Sequence, residues 1–281
     1  MEVEAYCSGR VILNNKTFSV DLVVGGSILE NRLLREILSN NPSLHAFTLH
    51  DIRNDRSRTD LYIASSTDSI LGYLLIYRGI KRYHSAIIEL FRDIDWMNII
   101  RALISSTNIV RRGFTGTIHI DKRYVETVAD FTKPDGIYYY YIMEKTGEPP
   151  LCEPNQYDVI ELDRRVLDKY EASYEVARRI RGLRKPYGVL INNRIAGVGG
   201  FYVTEPEVYL VGGIYVEPDY RGRGIGKAIS CFLTRKALEY TNRVVLWVNT
   251  ENKPAVHIYD SIEYRVIRVN AWVNINVNVK P

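Results

Sequence analysis

The stretch Val208–Ile229, VYLVGGIYVEPDYRGRGIGKAI, decides how this chain is read. Its first nine residues are apolar and β-prone, Pro218 breaks them off, a glycine-rich loop follows, and Ile225 opens a long helical run. The spacing predicts strand, turn, loop and helix in that order. Gly222, Gly224 and Gly226 let the backbone come close to a bulky ligand and leave amide hydrogens free where the helix begins. Such a helix start carries about half a positive charge and suits an anion, and Arg221, Arg223 and Lys227 add cationic side chains. Two familiar phosphate loops do not fit. A Walker loop needs Gly where Arg221 stands and Ser or Thr where Ala228 stands, and a dinucleotide fingerprint needs Gly at Lys227.

Downstream, Leu246–Tyr264 reads LWVNTENKPAVHIYDSIEY. It holds L-x-V, then N-x-x-A-x-x-x-Y at Asn252, Ala255 and Tyr259, then an aromatic at Tyr264. Together with R-x-x-G-x-G over Arg221–Gly226, this ordered pair of patterns resembles the GNAT superfamily, the acyl-CoA-dependent N-acetyltransferases, over about Asp158–Val277. One departure is Glu263, where the family usually has Gly. The resemblance implies an α/β (α+β) fold class: a mixed, mostly antiparallel sheet flanked by helices, in which the strand ending at Val216 splays from the strand over Val244–Val248. It implies acetyl-CoA as co-substrate, its pantetheine arm pairing with backbone groups at Ile214 and Val216. Its contacts would be Arg221, Gly222, Arg223, Gly224, Ile225, Gly226, Lys227 and Asn252. The Val216 amide would stabilise the oxyanion and Tyr259 would protonate the CoA thiolate. An acceptor amine also needs a base. The position where some family members carry glutamate falls on Leu210, so Glu207, Tyr209 and Asn249 are the substitutes, and no base is assigned.

Working outward, the segment Glu144–Gln156 (EKTGEPPLCEPNQ) breaks every periodicity and divides the chain into 1–148 and 149–281. Strand, polar turn and a strand opening on two apolar residues and Gly recur at Tyr62–Tyr77 and Val189–Val203, which suggests a degenerate duplication. The first copy has no glycine loop in Ile87–Ala102, so the resemblance there is to a tandem GNAT protein whose first domain lacks the cofactor loop. Expected elements in the first half are helices at Asn31–Leu38, His45–Ile52, Trp96–Ser105 and Tyr124–Phe131, with strands at Leu61–Ala64, Ile70–Tyr77, Ala86–Leu90, Thr115–Ile120 and Ile137–Met143. In the second half they are a strand at Asp158–Leu162, helical segments over Val166–Arg181, strands at Tyr187–Ile191 and Ile195–Tyr202, then the elements around the glycine loop and a last strand near Val266–Val277.

With 281 residues, 46% apolar and 25% charged, the chain can bury a core, and its net charge of +4 requires no nucleic-acid partner. No apolar run approaches the ~18 residues of a membrane helix, and Glu2 and Glu4 stand where a signal peptide would be basic. A cytoplasmic protein with no membrane partner is expected, with a homodimer left open. Cys7, Cys152 and Cys231 are odd in number and lack ligand spacing, which argues against a disulfide framework and against zinc. The five histidines show no i, i+4 pairing, so no metal is expected.

The plain alternatives are a glycine loop that only shapes a turn, a Tyr259 that is one of 21 tyrosines, and solvated arginines. The expected function is transfer of an acetyl group from acetyl-CoA to a primary amine of a small molecule or peptide. Its rival is a non-catalytic acyl-CoA-binding sensor.

Overall fold

A computed structural model of the chain describes residues 9–13, 16–23, 25–79, 83–92, 95–107, 109, 114–152 and 157–276. Cys7, Gln156 and Val277 lie outside them. Two compact units form, one of Met1–Asn41, Phe47–Tyr140 and Val269–Pro281, the other of Pro42–Ala46 and Tyr141–Arg268. The packed units therefore run across the sequence division at 148/149, for a reason that lies in two long strands.

In the first half the elements are β1 (Gly9–Leu13), β2 (Lys16–Leu22), α1 (Ile28–Ser39), α2 (Ala46–Asn54), β3 (Thr59–Ser65), β4 (Ile70–Tyr77), β5 (Tyr83–Leu90), α3 (Trp96–Ser105), β6 (Thr115–Asp121), α4 (Val125–Thr132) and β7 (Gly136–Thr146). The second half gives β8 (Val159–Glu161), α5 (Arg164–Lys169), α6 (Tyr174–Ile180), β9 (Lys185–Ile191), β10 (Arg194–Glu205), β11 (Val208–Val216), α7 (Ile225–Leu238), β12 (Arg243–Asn249), α8 (Lys253–Ser261) and β13 (Arg265–Asn276). From β2 onward, every strand and α-helix of the first half has its counterpart in the second, in order, so the parallel read from one pair of hairpins extends to the element order of both halves.

The first unit orders its strands β1-β2-β3-β4-β5-β6-β13, antiparallel except for β5 beside β6. The second orders them β7-β12-β11-β10-β9-β8, with β11 parallel to β12 and an antiparallel run from β11 to β8. Each unit thus takes an edge strand from the other half of the sequence. Residues 269–276 of β13 complete the first sheet, pairing Asn270–Asn276 against Asp121–Thr115, and residues 141–146 of β7 belong to the second unit. The alternation in β13 explains the fit: Ala271, Val273 and Ile275 enter the first unit's core beside Ile118 and Ile120.

One expectation needs correction. The reading had no strand before Asn31, yet β2 buries Phe18 and Val20 and leaves Ser19 and Asp21 half-exposed, a period-two pattern too short to stand out. The helical segments expected over Val166–Arg181 are α5 and α6, each started by its own cap, Asp163 for α5 and Ser173 for α6, through their side-chain oxygens.

Candidate functional site

The site is built where β11 ends and α7 begins. Along β11 the pairing with β10 slips once at Gly213, which has φ 65°, and slips back at Tyr202 on β10. A bulge bends its strand away from the regular ladder, and a left-handed residue there favours glycine. On the other edge, β11 pairs with β12 only at Tyr209 opposite Val244 and Leu210 opposite Val245. Both strands continue, β11 to Val216 and β12 to Asn249, without further pairing among the described residues. The edges have parted.

Backbone direction in the parted segment follows from one hydrogen bond. The Glu217 amide donates to the Ala196 carbonyl at 2.9 Å, so it faces β10. Backbone groups alternate sides along a strand, which turns the Val216 and Ile214 amides toward the open edge. The Val216 carbonyl on that edge accepts from Arg221 Nε at 3.0 Å.

The loop then leads into α7. Gly222 and Gly224 have φ of 74° and 82°, and nothing lies within 4 Å of the position a Cβ would take at either. Gly224 is the N-cap and offers no side chain, whereas α5, α6 and α8 are each capped by a side-chain oxygen. The first amides of α7, at Ile225, Gly226 and Lys227, are left for a ligand. Ile225 contributes only its amide, since its side chain is in the core. Lys227 is exposed. Arg223 reaches back to the Asp219 carbonyl at 2.9 Å, and Tyr157 donates to the Arg223 carbonyl at 3.0 Å. The Cβ direction of Gly226 points at Val216 Cγ2 and Ile258 Cδ1, 3.7 and 3.5 Å away, so the end of β11, the start of α7 and α8 converge there.

Tyr259 follows Ile258 on α8 and is buried, and burial pushes its hydroxyl up to about 12, which keeps it protonated at neutral pH. Asn252 caps α8, its Oδ1 accepting from the Ala255 amide at 3.3 Å. The replacement bases divide by position. Leu210 is buried, and Tyr209 stacks on Tyr240 beyond the far end of α7. Seven residues of strand at about 3.3 Å each separate Tyr209 from Val216, and Glu207 lies further still. Asn249 ends β12 at the open end, its Oδ1 accepting from the Glu251 amide at 2.8 Å. Sequence reasoning passed over Glu217, the carboxylate next to Val216, which accepts from the Tyr215 hydroxyl at 3.4 Å. No pattern marks it; only the direction of β11 does.

The cysteine expectation is overturned. Cys152 and Cys231 are joined by a disulfide, their Cα atoms 6.4 Å apart and 79 residues apart in sequence, a pairing that no local spacing could announce. It ties the segment before β8 to α7.

In the first unit the matching strands are closed. β5 and β6 stay in parallel register from Tyr83 opposite Thr115 to Ile87 opposite His119, and β4 and β5 pair without a bulge. Gly116 lets this happen, because a Cβ there would collide with the His84 carbonyl. No group of three or more His, Cys, Asp or Glu that could hold a metal ion occurs among the described residues.

The match to the acetyltransferase (GNAT) family spans residues 154–264. That stretch, 111 of the 281 residues, is similar to a GNAT domain. An uncharacterized N-acetyltransferase of Methanocaldococcus jannaschii is 40% identical over 67 residues, 22% of this chain and 28% of that protein, so the likeness spans little more than a quarter of that relative's length. Among solved structures, a GCN5-related N-acetyltransferase from Sphaerobacter thermophilus superposes with a TM-score of 0.59 at 14% identity, covering 95% of this chain and 98% of its own. A tandem GNAT protein from the clavulanic acid biosynthesis pathway gives 0.59 at 14% identity over 91% and 97%. At such identities the likeness is one of fold, and it extends over both halves.

Proposed function

We propose that the second unit transfers an acetyl group from acetyl-CoA to a primary amine. The observation that carries this reading is the parted β11/β12 edge, with the Ile214 and Val216 amides facing outward and leading directly to the uncapped start of α7. A pantetheine arm can add to such an edge as a strand would, and a diphosphate suits the amides of Gly222–Lys227. Arg221, Arg223 and Lys227 supply positive charge around it, while Asn252 acts by holding the start of α8.

In this reading the amine loses a proton to solvent and its nitrogen attacks the thioester carbonyl carbon. The Val216 amide donates to the carbonyl oxygen as negative charge gathers there. As the new C–N bond forms and the C–S bond breaks, Tyr259 gives its proton to the departing sulfur and is reprotonated by the proton the nitrogen sheds. The products are an acetylated amine and the free thiol. The first unit, with its strands zipped and no glycine loop, takes no acyl-CoA.

Calorimetry with acetyl-CoA and a thiol-release assay over a panel of amines test this together. Micromolar binding with thiol release is expected, and Tyr259→Phe lowers the rate about a hundredfold or more while changing the acetyl-CoA Kd by less than about twofold. Absence of binding ends the proposal. Binding without thiol release from any amine replaces it by the sensor reading, which the apolar Leu210 favours.

A further inference from the structure

One arginine on the opposite face of the second sheet stands where a core residue belongs. Helix α6 is fixed by its Ser173 cap and by Val176, which is fully buried against Leu162, Leu183, Ile195 and Val198. Residues three and four positions along a helix share a face, so Arg179 and Ile180 point with Val176 toward the sheet. Ile180 packs there, as expected. Arg178 points away and pairs with Glu175 at 2.8 Å. Arg179 has no carboxylate partner among the described residues, and its Nε is enclosed with no acceptor. Its guanidinium carbon lies 5.1 Å from the centre of the Tyr215 ring.

Tyr215 is the residue before Val216, and its side chain belongs with Tyr202 to the apolar cluster on the α5/α6 face, while α7 covers the other face. A coenzyme bound at the start of α7 therefore has Arg179 on the far side of the sheet, against the ring of the residue before Val216, so an acceptor that approaches Val216 from that face meets it. Arg221, at the mouth of the loop, lies against the same ring at 5.7 Å, and Glu217 accepts from its hydroxyl. The stretch Arg178–Lys185, RRIRGLRK, holds five cations and no acid. A half-buried guanidinium stacked on an aromatic ring and left without an anion is suited to bidentate recognition of a carboxylate.

We propose that the acceptor is an amine that also carries a carboxylate, an α-amino acid or the acidic N-terminus of a peptide, and that Arg179 on Tyr215 binds that carboxylate, with Glu217 facing the ammonium group. This rests on the acetyl-transfer reading and names its substrate class. Arg179 is a specificity residue here, with no part in the transfer of the acetyl group.

The test uses the full chain at saturating acetyl-CoA with matched amines: free amino acids against their carboxamides, and peptides beginning with Asp against peptides beginning with Asn. The expected result is a kcat/KM at least about tenfold higher for the carboxylate member of at least one pair, carried by KM. In Arg179→Met that ratio falls toward one and in Arg179→Lys it falls part of the way, with the acetyl-CoA Kd changed less than about twofold, whereas Arg178→Met keeps the ratio. Should Arg179→Met fail to fold, the Lys variant and the wild-type ratios decide alone. Acetyl transfer without preference for either twin, or an Arg179 variant that weakens acetyl-CoA instead, overturns the substrate class and leaves acetyl transfer standing. Failure of the wild type to bind acetyl-CoA removes both.

Discussion

At Glu263 a residue stands where its relatives favour glycine, and the backbone behaves as though glycine were there: φ is 68°, in the left-handed region. Such a conformation costs a non-glycine residue about 1–2 kcal/mol. The side chain offsets part of that, since its carboxylate meets Lys145 Nζ at 3.0 Å and Lys145 is nearly buried. Glu263→Gly should leave stability within about 1 kcal/mol of the wild type, strain relief offsetting the lost ion pair, while Glu263→Gln keeps the strain, discharges the pair and destabilises by about 1–2 kcal/mol. Urea unfolding of the two variants checks the order. Glu263 was legible as a departure from a motif, and its partner was not, because Lys145 arrives from a strand in the other half of the sequence. The same divide runs through the candidate site. The glycines and Tyr259 stand in short local patterns, whereas Arg179, Tyr215 and Glu217 come together only through the way α6 lies on β11.

Among elements, the helix α7 opens at the proposed diphosphate site and is also covalently tied. The disulfide from Cys152 to Cys231 closes a 79-residue span of sequence, and the loop entropy removed from an unfolded chain by a cross-link of that length is worth about 4–5 kcal/mol. A reducing agent should lower the melting temperature of the wild type and leave a Cys152→Ala/Cys231→Ala variant unmoved; equal melting curves with and without reductant would show that the bond contributes nothing. Element order was readable from periodicity nearly everywhere, down to Trp96–Ser105 residue for residue. What periodicity could not convey is pairing. β5/β6 and β11/β12 are both apolar parallel pairs in sequence, yet one stays in register and the other parts after Leu210. The difference lies in a close backbone approach at Gly116 and a bulge at Gly213, each a single residue among nineteen glycines.

Across the whole molecule, buried titratable groups set the response to acid. Burial, with Arg268 nearby, pulls His45 down to about 3, and burial alone does the same to His119; both stay neutral when folded and charge at about 6.5 when unfolded. Stability from these two is complete above pH 6.5 and drains away as the pH falls toward 3. Asp51 works the other way: burial raises it to about 7, so its term is most favourable in acid and is lost as the pH rises through 7. Two histidines against one aspartate should give a net fall in the urea midpoint between pH 6.5 and 4, flattened in His119→Gln, and a midpoint that rises on acidification would contradict the assignment. The exchange of last strands acts at this scale too. The first unit's sheet needs Asn270–Asn276 against β6, and those residues follow the elements of the second half in sequence. However early its own helices and hairpins collapse, that half must wait with an open edge until translation has passed the entire second half, and the order of synthesis is not the order of completion.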